Sequence, residues 1–243
     1  MKLRLAWRLV RVFVHLFGGL AACALVFPWA GAALRDRVTS RWSRDLLAIC
    51  GVRVAHAGGT DALAHAMIVS NHISWLDIFV INALHPCRFV AKSEIRAWPV
   101  LGWLVDKAGT VFIARGNRRE LRHIFKGMVS ALQAGQRVAF FPEGTTALQG
   151  EVLPFHANLF EAAVDAGVPV QPYALRYVNR DGVLHPGVEY IGERTFVQSM
   201  LLVLAGEPIE ARLTCLAPIA AANAHRRELA KAAHDAIGAA LAA

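Results

Sequence analysis

The chain has 243 residues, of which 56% are hydrophobic and 18% charged, and its formal net charge is +8. That length supports one large domain with a full core and does not require a second, while the charge selects anionic partners: nucleic acid, a phospholipid surface or a phosphorylated substrate. The four cysteines (Cys23, Cys50, Cys87, Cys215) lack Cys-x-x-Cys spacing, so they imply neither a disulfide framework nor a zinc site and fit a reducing compartment.

From Val12 to Leu34 there are 23 residues without Lys, Arg, Asp or Glu, enough at ~1.5 Å per residue to cross a hydrocarbon core of ~30 Å. Lys2, Arg4, Arg8 and Arg11 precede this segment, and Arg35, Arg37, Arg41 and Arg44 follow it. The positive-inside rule therefore has no asymmetry to act on, and Pro28 ends a helix near Phe27. A helix that dips into one leaflet and returns is predicted in preference to a span. A cleaved signal peptide, with Ala30-Gly31-Ala32 as its small residues, would need a shorter apolar stretch. The segment turns the choice of anionic partner away from nucleic acid and toward a membrane phospholipid surface. Arg35 to Cys50 reads as an amphipathic helix, with Val38, Trp42, Leu46 and Ile49 on one face and Gly51 as its stop. Such a helix suits either the headgroup region or a dock on its own domain. Residues 1–50 are accordingly predicted to be membrane-anchoring helices, and 51–243 a separate α/β domain.

Beyond Gly51, short β-rich runs alternate with helical patterns. The runs are Val52 to Ala55, Ala66 to Ser70, Arg88 to Ala91, Thr110 to Ile113, Arg137 to Phe141, Val168 to Leu175, Val188 to Ile191 and Arg212 to Leu216. Asn117 to Ala134 carries Leu121, Ile124, Phe125, Met128, Val129 and Leu132 on one side, capped by Asn117 and stopped by Gly135. A packing helix is predicted from Asn223 through Ile237. The pattern predicts an α/β fold with a mixed, largely parallel sheet flanked by helices, preceded by an N-terminal membrane-associated helical hairpin. Open sheets of this kind place their sites at strand ends.

The run Asn71-His72-Ile73-Ser74-Trp75-Leu76-Asp77 follows one such strand. A histidine oriented by a carboxylate can take a proton from a hydroxyl near neutral pH. On one continuous helix, positions five apart stand about 140° apart at ~3.6 residues per turn, so His72 and Asp77 meet only if His72 lies in the turn ahead of the helix. The same residues also read as a cap, because Ser74 and Asp77 before the apolar run Ile78 to Leu84 have capping-box spacing. Cap and dyad are compatible: a helix starting near Ser74 leaves His72 outside it.

Phe140-Phe141-Pro142-Glu143-Gly144-Thr145-Thr146 ends another strand in a sharp turn, where a carboxylate, two hydroxyls and exposed amides suit polar groups of a substrate. Arg115, followed by Gly116, closes a third strand, and a guanidinium there suits a two-pronged grip on phosphate. Lys92 is a candidate second anion contact, and His156 and Asn158 candidates for the same cleft. His85, His123, His225 and His234 read as surface or helix-end residues. No histidine pair has metal-ligand spacing, so no metal is expected.

Taken in order, these segments and the strand Val168-Pro169-Val170-Gln171-Pro172 resemble the motifs of the lysophospholipid (glycerolipid) acyltransferase family, over roughly Met67 to Leu175. His72 and Asp77 meet its His-x4-Asp motif, Arg115 the arginine closing its second, Phe141 to Thr145 its Phe-Pro-Glu-Gly-Thr, and Val168 to Pro172 its Val-Pro strand. Its Ala-Lys-x-Glu segment is matched by Ala91 to Glu94, with Pro99 and Gly102 nearby. The resemblance implies a membrane-bound O-acyltransferase on the cytoplasmic face of a bacterial inner membrane. It would move a fatty acyl group from acyl-CoA or acyl-carrier protein to the hydroxyl of a lyso-lipid, with no other cofactor and no covalent intermediate. The leading acceptor is 1-acyl-sn-glycerol-3-phosphate and the runner-up lyso-ornithine lipid. In this reading His72 is the base and Asp77 orients it, Arg115 binds the acceptor headgroup, and Gly116, Glu143, Gly144, Thr145 and Lys92 complete the pocket. The chain departs from the family at Ala114, Thr146 and His156, where Asp, Arg and Lys are common, and two cations are thereby lost. A thioesterase or lipid hydrolase is the alternative of another class, but no Gly-x-Ser-x-Gly nucleophile turn is present. A non-enzymatic membrane-surface binder would leave the motifs without a role.

Overall fold

The computed structural model describes residues 2–92, 102–103, 110–113 and 118–243. The chain starts with a helical hairpin: α1 (Lys2–Ala21), a π-helical turn (Ala22–Val26) and α2 (Ala32–Cys50). Helical structure stops at Val26, ahead of Pro28, so the uncharged segment is divided between two helices. Its second half reverses direction and opens α2.

Seven strands among the described residues form one sheet: β1 (Val52–Gly59), β2 (Met67–Ser70), β3 (Arg88–Lys92), β4 (Val111–Ile113), β5 (Val138–Phe140), β6 (Val170–Val178) and β7 (Ile209–Cys215). Their order is β1-β7-β6-β2-β5-β3-β4. Every neighbouring pair is parallel except β6 with β7, which is the mixed, largely parallel arrangement predicted.

Alternation along β2 divides the core. Ile68 joins Ala139, Tyr173, Leu175 and Tyr177 on the face covered by α2, α3 (Asp77–Leu84) and α6 (Phe196–Ala205). Met67 and Val69 join Val138, Phe140 and Val170 on the other face, under α4 (Arg118–Gln133), α5 (Glu161–Ala166) and α7 (Arg226–Ala242). A side chain buried this way contributes about 1.5–3 kcal/mol relative to exposure, and a one-residue slip would turn each set toward the wrong layer.

The hairpin is tied to this body at several points. Leu46, Leu47, Ile49 and Cys50 of α2 are buried in the same core as the sheet. Arg4 donates to the carbonyls of Ala205 and Gly206, and Arg8 to that of Leu204, so two guanidiniums of α1 cap the electronegative end of α6. Between the helices, the His15 ring stacks on Trp42 at 4.5 Å. Its Nε2 lies 2.9 Å from the Trp42 carbonyl, while the Trp42 indole donates back to the His15 carbonyl at 3.1 Å. The outer face of α1 is exposed, with Trp7 62%, Phe13 61% and Phe17 69% accessible.

One predicted strand is absent. Around Val188 the chain forms a short 3₁₀ turn, Pro186–Val188, followed by irregular backbone. Pro186 has no N–H for a ladder, the His185 imidazole takes the Gly187 amide, and the Tyr190 amide donates to the Ile73 carbonyl. The hydrogen bonds of this segment hold the loop around His72 instead of extending the sheet.

Gly51 stops α2, as its position predicts, with φ of 78° and its amide shared between the carbonyls of Ala48 and Leu47. A Cβ there would meet Arg8 Nη2 at 2.5 Å, so Gly51→Ala combines a left-handed alanine with displacement of Arg8. We expect a loss of about 1–2 kcal/mol, read as a fall of a few degrees in Tm with catalytic activity retained.

Candidate active site

The central strands β2 and β5 lie side by side with Val69 opposite Phe140, so the residues three further on from each, His72 and Glu143, emerge together beyond the C-terminal ends of the two strands. Asn71 makes the exit possible. Its side-chain amide donates to the Leu175 carbonyl at 3.0 Å and accepts the Leu175 N–H at 2.9 Å. A side chain thereby completes the pairing with β6, and the backbone of His72 is released to turn away.

His72 sits ahead of α3, as the dyad requires, and its Nδ1 is 2.7 Å from Asp77 Oδ2. The same oxygen accepts the amides of Ile73 at 2.7 Å and Ser74 at 2.9 Å. The other oxygen, Oδ1, accepts the Tyr177 hydroxyl at 2.7 Å. Asp77 is fully buried, and four donors supply the stabilisation that water would otherwise give its charge. An ionised carboxylate only accepts, so the proton between the pair belongs to Nδ1 and the imidazole lone pair lies on Nε2. The His72 side chain is 20% exposed, which leaves it reachable from outside.

The predicted capping box is half present. Asp77 reaches back to the Ser74 amide, but α3 begins at Asp77, and the buried Ser74 Oγ has no hydrogen-bond partner among the described residues. The carboxylate expected to cap and to orient contacts His72 and the loop amides, while α3 itself has no side-chain cap at its N-cap Leu76. The serine does not cap, because the helix starts three residues beyond it.

The third motif holds His72 on three sides. Glu143 Oε1 accepts the His72 amide at 2.7 Å, the Ala147 amide donates to the His72 carbonyl at 2.8 Å, and the Phe141 ring stacks on the imidazole at 3.9 Å with 8° between planes. The second oxygen of Glu143 accepts the Leu153 amide at 2.9 Å. Read from sequence as part of the acceptor pocket, Glu143 is buried here with both oxygens on the main chain. Burial pushes its carboxyl above the ordinary range, and the two amides pull against that shift.

Gly144 closes the turn with φ of 70° and its amide on the Phe141 carbonyl, where a Cβ would meet the His156 ring at 3.3 Å. Thr145 is exposed at the same turn, as are His156 and Asn158 nearby. Thr146, at the position where the family commonly has arginine, donates its hydroxyl to the Tyr190 carbonyl. Lys92 is the last residue of β3, paired with Ile113 of β4; Arg115 and Gly116 lie outside the described residues, as do Ala114 and the Asn117 cap.

In the fourth motif, Gln171 is buried and bonds Leu63 and Asp61 across the sheet, a supporting role. Tyr177 went unremarked in the sequence although it touches Asp77. Its signal was faint: Tyr173, Leu175 and Tyr177 share one face of a buried strand, and a buried tyrosine needs a partner for its hydroxyl. His85 also has an internal partner, Tyr173, at 3.1 Å, whereas His225 caps α7.

A histidine hydrogen-bonded to a buried carboxylate thus stands beyond the end of β2, on a loop fastened by Phe-Pro-Glu-Gly-Thr. The family model described as Acyltransferase matches residues 54–176, and the chain belongs to that family. Among its relatives, the lyso-ornithine lipid O-acyltransferase of Pseudomonas aeruginosa is 37% identical, covering 99% of this chain and 94% of that protein. The 1-acyl-sn-glycerol-3-phosphate acyltransferase of Neisseria meningitidis serogroup B is 42% identical over 151 residues, covering 61% of this chain and 58% of that one. The crystal structure of the 1-acyl-sn-glycerophosphate acyltransferase PlsC from Thermotoga maritima shares the fold, with a TM-score of 0.71 at 20% identity over 99% of this chain and 94% of that one.

Glu143→Gln sets an amide NH₂ against one of the two backbone N–H groups, leaving a buried donor unpaired at a cost of about 1–3 kcal/mol. We expect a lower Tm and a reduced kcat, with the KM for the acceptor changed by less than kcat, when both constants are measured on the purified variant.

Proposed function

We propose that this acyltransferase moves a fatty acyl group from acyl-CoA or acyl-carrier protein to the free hydroxyl of a lyso-lipid, with His72 as general base. The observation that carries the reading is the 2.7 Å contact between His72 and the buried Asp77. The lone pair on Nε2 takes the hydroxyl proton as the oxygen attacks the thioester carbonyl. The tetrahedral intermediate collapses by breaking the C–S bond, and the proton held on His72 passes to the departing thiolate. A positioned base contributes about 10²- to 10⁴-fold; orientation of the donor and stabilisation of the oxyanion supply the remainder. Asp77 keeps the tautomer and balances the imidazolium that forms.

The acceptor proposed first is 1-acyl-sn-glycerol-3-phosphate, giving phosphatidate, because Arg115 and Lys92 provide cations for its phosphate. Gly116, Gly144 and Thr145 complete the headgroup pocket in this reading. The second reading, lyso-ornithine lipid, is favoured by two observations: Thr146 stands where arginine is common and its hydroxyl is engaged by Tyr190, and the relative named for that acceptor aligns along the whole chain.

The protein works at a membrane surface in this proposal. Leu3–Val26 is long and apolar enough to cross a bilayer, yet Arg4 and Arg8 hold its first turns against α6 and His15 holds its middle against α2. These ties support an orientation within one leaflet, with the exposed face of α1 in lipid. The donors and the four free cysteines support the cytoplasmic face of a bacterial inner membrane.

Purified protein given a labelled acyl donor and a panel of lyso-lipids is expected to yield labelled diacyl product. The headgroup acylated fastest distinguishes the two acceptors. His72→Ala is expected to lower kcat at least about 10²-fold with the far-ultraviolet circular dichroism unchanged. Full activity in that variant, or free fatty acid as the main product whether or not lyso-lipid is added, would sink the proposal.

A further inference from the structure

Asp77 divides its two oxygens between different tasks. Oδ2 serves the loop, taking His72 Nδ1 and the amides of Ile73 and Ser74, whereas Oδ1 has the Tyr177 hydroxyl at 2.7 Å. Tyr177 is fully buried in β6 and 100 residues away in the chain. Its position is set independently of Asp77. Its amide donates to Gln149 Oε1 at 2.8 Å, its carbonyl accepts the His185 amide at 2.9 Å, and it pairs with Ala211 of β7. The phenol is therefore presented to the carboxylate by the sheet and does not follow it. A phenylalanine would satisfy the packing equally well, so the hydroxyl itself calls for an explanation.

We propose that Tyr177 is a positioning residue of the acyl transfer, which shares the Asp77 carboxylate with His72 and so limits how strongly that carboxylate holds a proton on the imidazole. The inference rests on the reading of His72 as base. A carboxylate that accepts a hydrogen bond from a neutral phenol has less charge to offer an imidazolium. Burial and the neighbouring charge of Asp77 push the Tyr177 phenol well above its ordinary range, so it stays an O–H donor throughout the working range. Among the described residues, the titratable side chain hydrogen-bonded to the His72 loop besides Asp77 and Tyr177 is Glu143 from the turn after β5, with His156 beyond it over Gly144; Tyr190 meets the loop through its backbone amide. None of these three side chains hydrogen-bonds Asp77, so Tyr177 is the side chain that acts on it directly from the sheet.

The sign of the effect follows. In Tyr177→Phe, Asp77 keeps three donors on Oδ2, but its charge is no longer shared with the phenol and the imidazolium form of His72 gains. The acid limb of the kcat/KM profile, set by deprotonation of His72, is expected to move up by about 0.5–1 pH unit. The rate well below the limb then falls ~3- to 10-fold, while the alkaline plateau and the acceptor KM change by less. Replacement of Tyr177 by 3-fluorotyrosine, a stronger donor of nearly the same size, is expected to move the limb the other way. It also serves as the deciding measurement if the phenylalanine variant does not fold. A limb that stays in place in both proteins, with or without a lower Tm, means the hydroxyl serves only to satisfy the buried carboxylate and overturns the inference. His72→Ala in the same assay separates this result from failure of the underlying reading, since retained activity there would remove the base itself.

Discussion

A charge with no water around it has to be met by donors from the protein, and the buried carboxylate of Asp77 organises the site around that requirement. Its four donors come from three successive residues of the loop before α3 and from a strand on the far side of β2. The loop cannot relax without uncovering the charge, which would cost far more than any single neutral hydrogen bond contributes. The bent path of residues 71–76, the tautomer of His72 and the contact between α3 and β6 therefore share one cause.

The third motif answers a different need. Asp77 fixes the Nδ1 side of the imidazole, but a ring held at one atom still tilts and slides with its backbone. Phe141 beneath the ring, Glu143 on the amide and Ala147 on the carbonyl remove those freedoms. Glu143 does so as a buried acceptor with both oxygens in use. Two distant sequence motifs thus form one mechanical unit because β2 and β5 are neighbours in register.

Much of this was legible in the chain. Periodicity gave the strand and helix alternation, Gly51 and Gly135 marked real helix ends, and the five-residue spacing of His72 and Asp77 correctly required His72 to precede the helix. What stayed hidden depended on tertiary neighbours. A carboxylate in a Pro-Glu-Gly turn reads as solvent-facing, and only the adjacency of β2 and β5 turns Glu143 inward. Val188 to Ile191 has strand-like composition, but Pro186 and the demands of the Ile73 carbonyl keep it irregular. The role of Tyr177 required β6 to lie beside β2 with its aromatic face toward α3, a pairing across 100 residues that local pattern does not encode.

The capping of α6 by α1 makes the membrane a spatial reference for the chemistry. One end of α6 receives Arg4 and Arg8, and the other places Phe196 edge-on to Trp75 at 5.3 Å, three residues from His72. Ten helical residues at ~1.5 Å each form a strut of fixed length between the start of α1 and the loop bearing His72. If the exposed apolar face of α1 settles among lipid headgroups as proposed, its depth there sets the height of the His72 imidazole. On the proposed reading, a lyso-lipid in the same leaflet would meet His72 by lateral diffusion, in a search confined to two dimensions.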